Sequence, residues 1–316
     1  VKAFRFGYQA GAGDPAETVR SARAAEDVGF DVFHVGDHVG AHPSALASLA
    51  FVASRTSTIR LCPLVLNNDL RHPVVLAQEL ATIDRLSGGR LEVGIGAGHS
   101  FTEYAAIGQP FDPPPVRKAR LAEASEILRK LLDGERVTFA GEYYRLHDAT
   151  TVRPLQRHVP MLIAVNGRKA LAHAARHADT VGLTMLGPTL PDGQHHEVRW
   201  EPERLDATVA WVREQAAADP RSPPELHALI QATVITNDRH EAASAMAGRI
   251  HGLRVEDALA IPFLALGTVD QIADHLRTCR ARWGISYYSV RDVDAFAPVI
   301  ERLRSRDEPS DDRSGS

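Results

Sequence analysis

Two rhythms of apolar and polar positions alternate along the chain. FRFGY (4–8) reads as a strand, and PAETVRSARAAEDVG (15–29) as a helix that Gly29 ends. The pair repeats as DVFHVG (31–36) with PSALASLAFVASRT (43–56), then as IRLCPLVL (59–66) with HPVVLAQELATIDRLSGG (72–89). Apart from Arg60 the run 59–66 is apolar, as a strand covered on both faces requires. RLEVGIG (90–96) predicts a fourth strand, and RKARLAEASEILRKLLDG (117–134) its helix.

RVTFAGEYYRLHD (136–148) breaks the rhythm and predicts a surface hairpin with Gly141 in or near its turn. PMLIAV (160–165) restores it, followed by helix 168–177, strand DTVGLTML (179–186) and helix 202–217. LHALIQATVIT (226–236), helix 268–284, ISYYSV (285–290) and helix 296–305 close the series. Strands that alternate with helices belong to the α/β class with a parallel sheet, and a count of eight predicts a single (β/α)8 TIM barrel. It spans residues 1–306, with excursions near 108–116, 136–148 and 187–200, and 307–316 forms a flexible tail.

Composition narrows the partners. Of 316 residues, 44% are apolar and 24% charged, an ordinary globular mixture. The balance of 36 basic and 40 acidic side chains, with no basic track, argues against nucleic acid and leaves a small-molecule substrate. The amino end, VKAFRFGYQAG, lacks the apolar run of a signal peptide, and no window predicts a membrane span. Cys62 and Cys279 are the only thiols, which points to a reducing, cytoplasmic compartment.

Function in a parallel barrel gathers where strands end. The second strand ends in VGDHVGAH, with Asp37, His38 and His42; the third in VLNND, with Asn67, Asn68 and Asp69; the fourth in GIGAGHSFTEY, with Gly94, Gly96, Gly98, His99 and Glu103. The glycine run lacks the spacing of a dinucleotide fold or phosphate loop, so it says only that backbone approaches something bulky, a planar ligand or a neighbouring helix. A neutral His38 can relay a proton, with Asp37 a candidate to hold its ring; an ordinary rim pair is the alternative. Asn166 and Gly167 follow the fifth strand at a helix start, where N–H groups receive phosphate or Asn166 caps the helix. His34, His38 and His42 cross a strand-to-loop boundary, so their spacing converges on no metal, and none is expected. No G-x-S-x-G elbow supports a serine hydrolase; Ser44, Ser87 and Ser100 read as caps or loop residues. Tyr287 and Tyr288 alternate faces, one toward the barrel interior and one toward the helices.

SARAAEDVGFD (21–31), VGDHV (35–39), HPVVLAQELATIDRLSGGRLEVGIGAG (72–98) and GTVDQIADHLRTCRARWGISYYSV (267–290) together resemble the bacterial luciferase-like superfamily, in its deazaflavin-dependent (coenzyme F420) branch. The resemblance covers about residues 4–304. It implies a flavin-type pocket at the carboxyl ends of the strands, with the ring against a bulge at Leu66, Asn67 and Asn68 and a non-proline cis peptide there. It also implies that Gly96, Ala97, Gly98 and His99 leave room along the cofactor, with Asp37 nearby and Asn166 and Gly167 toward its phosphate-bearing tail.

By the same resemblance His38 assists proton transfer while hydride moves to or from the deazaflavin C5, and Glu103 falls near a family acid position. Some sugar-phosphate and alcohol dehydrogenases of the group carry a tryptophan where this chain has His42, so the resemblance leaves the substrate open. The alternative within the superfamily is an FMN-dependent monooxygenase using O2 and a reductase partner; outside it, a barrel that only binds ligands. Family members commonly pair as homodimers through barrel helices.

Overall fold

The computed structural model describes residues 2–11, 13–40, 42–190, 196–219 and 222–307. Eight parallel strands run in chain order around a ring: Arg5–Ala10, Val32–Val35, Arg60–Pro63 continued as Leu66–Asn67, Val93–Gly96, Met161–Ala164, Thr180–Leu183, Glu225–Leu229 and Ile285–Val290. The eighth pairs with the first (Phe6 opposite Tyr288), and a bridge from Leu61 to Leu91 joins the third to the fourth. The expected TIM barrel is therefore closed.

Helices follow the strands where the periodicity places them. Asp14 caps Pro15–Val28 by accepting from the Glu17 N–H, and Gly29, at φ 90°, ends it in the left-handed region. Pro73–Leu86 and Pro202–Ala217 open on proline, as does Pro114–Leu132, which therefore starts three residues before the expected 117. Thr268 and Gln271 cap Val269–Trp283 reciprocally. The final helix is Val293–Asp307, so it runs through the expected boundary at 306; the rest of the predicted tail lies outside the described residues. Among the described residues no helix is long and apolar enough to cross a membrane.

Three strand expectations need correction. The run 59–66 is two pieces: the ladder breaks after Pro63, and the cis peptide is Leu64–Val65, ahead of the expected Leu66–Asn68. The sixth strand stops at Leu183 because Met185, at φ 49°, turns the chain into a separate hairpin, Leu186–Thr189 with His196–Val198. The stretch 226–236 also divides. Only Glu225–Leu229 joins the barrel, while Ala232–Ile235 pairs in parallel with Leu264–Gly267. Residues 237–267, unassigned from sequence, supply that partner and two helices, Arg239–Arg249 and Val255–Ala260. The predicted hairpin is present as Val137–Ala140 and Arg145–Ala149, its turn closed by the Gly141 N–H donating to the Tyr144 carbonyl.

The main apolar core lies between barrel and helices. A smaller interior cluster joins Val32, Cys62, Leu64, Leu162 and Tyr287. Tyr287 thus faces the interior, and Tyr288 packs outward beside Phe4, as strand alternation requires. One end of the interior is polar: Arg5 pairs with Glu92 (2.6 Å) and Glu225 (2.8 Å), and Arg60 shares Glu92. Burial pushes the Cys62 thiol pKa up, which leaves it an inert core residue.

Candidate active site

A cavity of about 450 Å³ opens at the carboxyl ends of the strands. Ten of the twelve residues that the resemblance assigns to the site line it: Asp37, His38, Leu66, Asn67, Gly96, Ala97, Gly98, His99, Glu103 and Asn166. Asn68 does not. It is buried outside the cavity wall, with its side-chain amide 3.3 Å from the Tyr144 hydroxyl and from Asp69. Gly167 is not in the wall either, but begins the helix next to Asn166.

Glu103 lies on a short helix, Phe101–Ala106. From there its Oε1 sits 2.8 Å from His38 Nδ1, and its Oε2 accepts the Val39 N–H. A carboxylate only accepts, so Nδ1 carries a proton, and Nε2 is the ring nitrogen left to exchange one. Nε2 makes no hydrogen bond among the described residues. The proposed role of Asp37 in holding this ring is not met: its carboxylate takes both nitrogens of Arg71 (2.7 and 3.0 Å) and the Asn67 N–H (3.0 Å). Asp37 braces the end of the third strand, and Glu103 orients His38.

The glycine run answers a packing demand first. A Cβ at Gly94 would stand 2.1 Å from the Pro63 carbonyl oxygen, and one at Gly96 2.9 Å from the Val65 side chain. Gly98, at φ 71°, sits under the Tyr104 hydroxyl and Asn67. Backbone thus approaches the third strand and Tyr104 closely, while Gly96 and Gly98 also border the cavity. Arg117 fixes the same turn by donating to the Ala97 and Gly98 carbonyls.

Imidazoles crowd the mouth. His38 lies 5.3 Å from His42 and 5.9 Å from His99, whose ring is 5.2 Å from His196 between centroids. The packing around His99, with His196 and His38 beside it, holds its pKa down at about 4, so the ring is neutral at pH 7. Deeper in the barrel, His227 lines the floor and pairs with Ser289 at 2.8 Å; burial keeps it neutral. His195 lies outside the described residues.

Several residues at this cavity escaped the sequence reading. Gln9, at the end of the first strand, donates to the Leu64 carbonyl, and its buried Oε1 has no partner among the described residues. Lys118 has no ion pair among them and sits 3.5 Å from where a Cβ of Gly167 would stand, at the start of helix Arg168–His177. Arg291 follows the eighth strand, is likewise without an ion pair, and separates this cavity from a second of about 300 Å³ lined also by His38, His42, Ser48 and Thr18. Gln9 and Arg291 meet the strand-end criterion already applied to the second, third and fourth strands. The cap expected of Asn166 is absent: its side chain accepts instead from the Thr184 hydroxyl.

Residues 2–254 match the family described as luciferase-like monooxygenase. An F420-dependent glucose-6-phosphate dehydrogenase of Beutenbergia cavernae is 31% identical over 309 residues, covering 94% of this chain and 88% of its own length. A protein of the same description from Kineococcus radiotolerans is 39% identical over 225 residues, covering 65% of this chain and 66% of its own. The match spans about half the length of several further relatives of that description, between 52% and 56%. Among solved structures, the coenzyme F420 dependent tetrahydromethanopterin reductase from Methanopyrus kandleri superposes with a TM-score of 0.78 at 21% identity, covering 96% of this chain and 99% of its own, a likeness of fold. By family match and by a relative aligned along nearly its whole length, this chain belongs to the luciferase-like family.

Proposed function

We propose that this chain is a coenzyme F420-dependent oxidoreductase that transfers a hydride between the deazaflavin C5 and a small organic substrate. The observation that carries this reading is the His38–Glu103 pair on the wall of the strand-end cavity, with Nε2 of His38 left open.

The residues present fit such a cofactor. The wall combines apolar surface from Leu64, Val65, Leu66 and Ala97 with a buried acceptor at Gln9 Oε1 that awaits a donor. The anionic tail finds a helix start at Gly167 with the Lys118 ammonium beside it. A bound deazaflavin supplies the hydride chemistry; the protein supplies position and the proton.

His38 Nε2 takes a proton from a substrate hydroxyl in the oxidising direction and returns it to a carbonyl in reverse, while Glu103 fixes the tautomer that makes this possible. Arg291, between the two cavities, offers a free guanidinium to a charged or strongly polar substrate group. The relatives named glucose-6-phosphate dehydrogenases make a sugar phosphate the first candidate, and His42 beside the second cavity allows a different polar alcohol. We also propose a homodimer formed through barrel helices, supported by exposed Phe51, Val75 and Leu86 on two adjacent helices.

The test is a screen of sugar phosphates and alcohols with F420 as the oxidant. Substrate-dependent bleaching of its absorbance is expected. Oxygen uptake with reduced FMN, in place of any F420 turnover, would instead assign the chain to the monooxygenase chemistry of its superfamily.

A further inference from the structure

His34, His38 and His42 do not converge on a metal. A different set does. His173 and His177 sit one turn apart on helix Arg168–His177, and Glu126 faces them from helix Pro114–Leu132. One ligand atom from each lies within 4.8 Å of the other two. We propose that Glu126, His173 and His177 form a binding site for a divalent transition ion of the zinc type on the outer helical layer, away from the cavity.

A second observation points the same way. The Ser125 hydroxyl lies 2.9 Å from the Ala122 carbonyl and 2.7 Å from His173 Nε2; with its one proton on the carbonyl, the imidazole is the donor to it. In that arrangement Nε2 holds the proton and Nδ1 is the lone-pair donor, as where an outer hydrogen bond orients a metal-ligating histidine. His177 is exposed at the end of its helix, and its ring stacks at 4.3 Å on His173. Two imidazoles and one carboxylate suit zinc in a tetrahedral site with water in the fourth position, and suit magnesium poorly. The two helices clipped together are those that bring Lys118 and Gly167 to the cavity, so the ion would brace that corner of the barrel.

The experiment is calorimetric titration of the tag-free, chelator-treated full chain with zinc chloride, and with magnesium chloride in parallel. One zinc per chain is expected, with no saturable magnesium binding. His177→Ala, with its metal-free melting curve measured beside that of the wild type, is expected to weaken zinc at least tenfold, as is Glu126→Gln. Ser125→Ala should weaken it by roughly 10–100-fold through the freed tautomer. No saturable binding to the wild-type chain, or undiminished binding to both His177→Ala and Glu126→Gln, overturns the proposal.

Discussion

Glu103 reaches 65 residues back along the chain to place Oε1 2.8 Å from Nδ1 of His38 and Oε2 on the Val39 N–H. Both carboxylate oxygens are committed, so ring and backbone of the second strand's end are held together. His38→Ala should leave the fold intact and slow F420 turnover by roughly 10²–10⁴-fold, the usual worth of a positioned acid–base group. Glu103→Gln should lower kcat by a smaller factor with KM nearly unchanged, because it loosens the ring without removing it. Steady-state kinetics with matched circular dichroism spectra check both, and wild-type kcat in His38→Ala would contradict the assignment.

Asp37 is almost wholly buried, and Arg71 neutralises it with two hydrogen bonds. Arg71→Ala leaves that charge unpaired under the third strand's end, at a cost of roughly 3 kcal/mol. Asp37→Asn should cost less, since an amide still accepts the Asn67 N–H. Urea denaturation of the two variants should rank them in that order.

Gly94 and Gly11 make a matched pair. A methyl at Gly94 would enter the Pro63 carbonyl, and backbone cannot yield as a side chain can; nothing lies within 4 Å of one at Gly11. Gly94→Ala should destabilise the chain by about 1–3 kcal/mol or prevent folding. Gly11→Ala should change stability by no more than about 0.5 kcal/mol. Equal melting temperatures for the two variants would contradict the close approach of the third and fourth strands.

His34 is fully buried; its Nδ1–H donates to the Cys62 carbonyl, and its Nε2 accepts from Tyr287. Burial lowers its pKa to about 3, and the unfolded chain returns it to about 6.5. Between these values the unfolded state binds the extra proton, so stability present above pH 6.5 is lost as pH falls toward 3. The slope reaches about 1.4 kcal/mol per pH unit for this one group. His34→Asn, which keeps a donor for Cys62, should melt lower at pH 7 and show a shallower fall between pH 6.5 and 4. An unchanged slope would place the acid sensitivity elsewhere, with His227 the next candidate.

The barrel was legible because strands buried on both faces leave continuous apolar runs, as at 61–66, and because Gly29 and the prolines punctuate the helices. The split of the third strand was not: Leu64 and Val65 are as apolar as their neighbours, and only the ladder reveals the break. Strand ends pointed to His38 and Glu103, but pairing His38 with adjacent Asp37 failed since successive residues at a strand end point apart. Arg71, supplied from the next strand's end, was the true partner of Asp37. Gln9, Lys118 and Arg291 carry no motif. The role proposed for them rests on what they leave unpaired among the described residues, which only the packed structure discloses.

The central claim is that the strand-end cavity holds a deazaflavin. Cofactor-free protein titrated in parallel with coenzyme F420 and with FMN, following ring fluorescence, tests it most directly. The account predicts saturable binding of one F420 per chain, at least tenfold tighter than FMN and weakened by Lys118→Ala. Equal or tighter binding of FMN, or no saturable binding of F420, would contradict it.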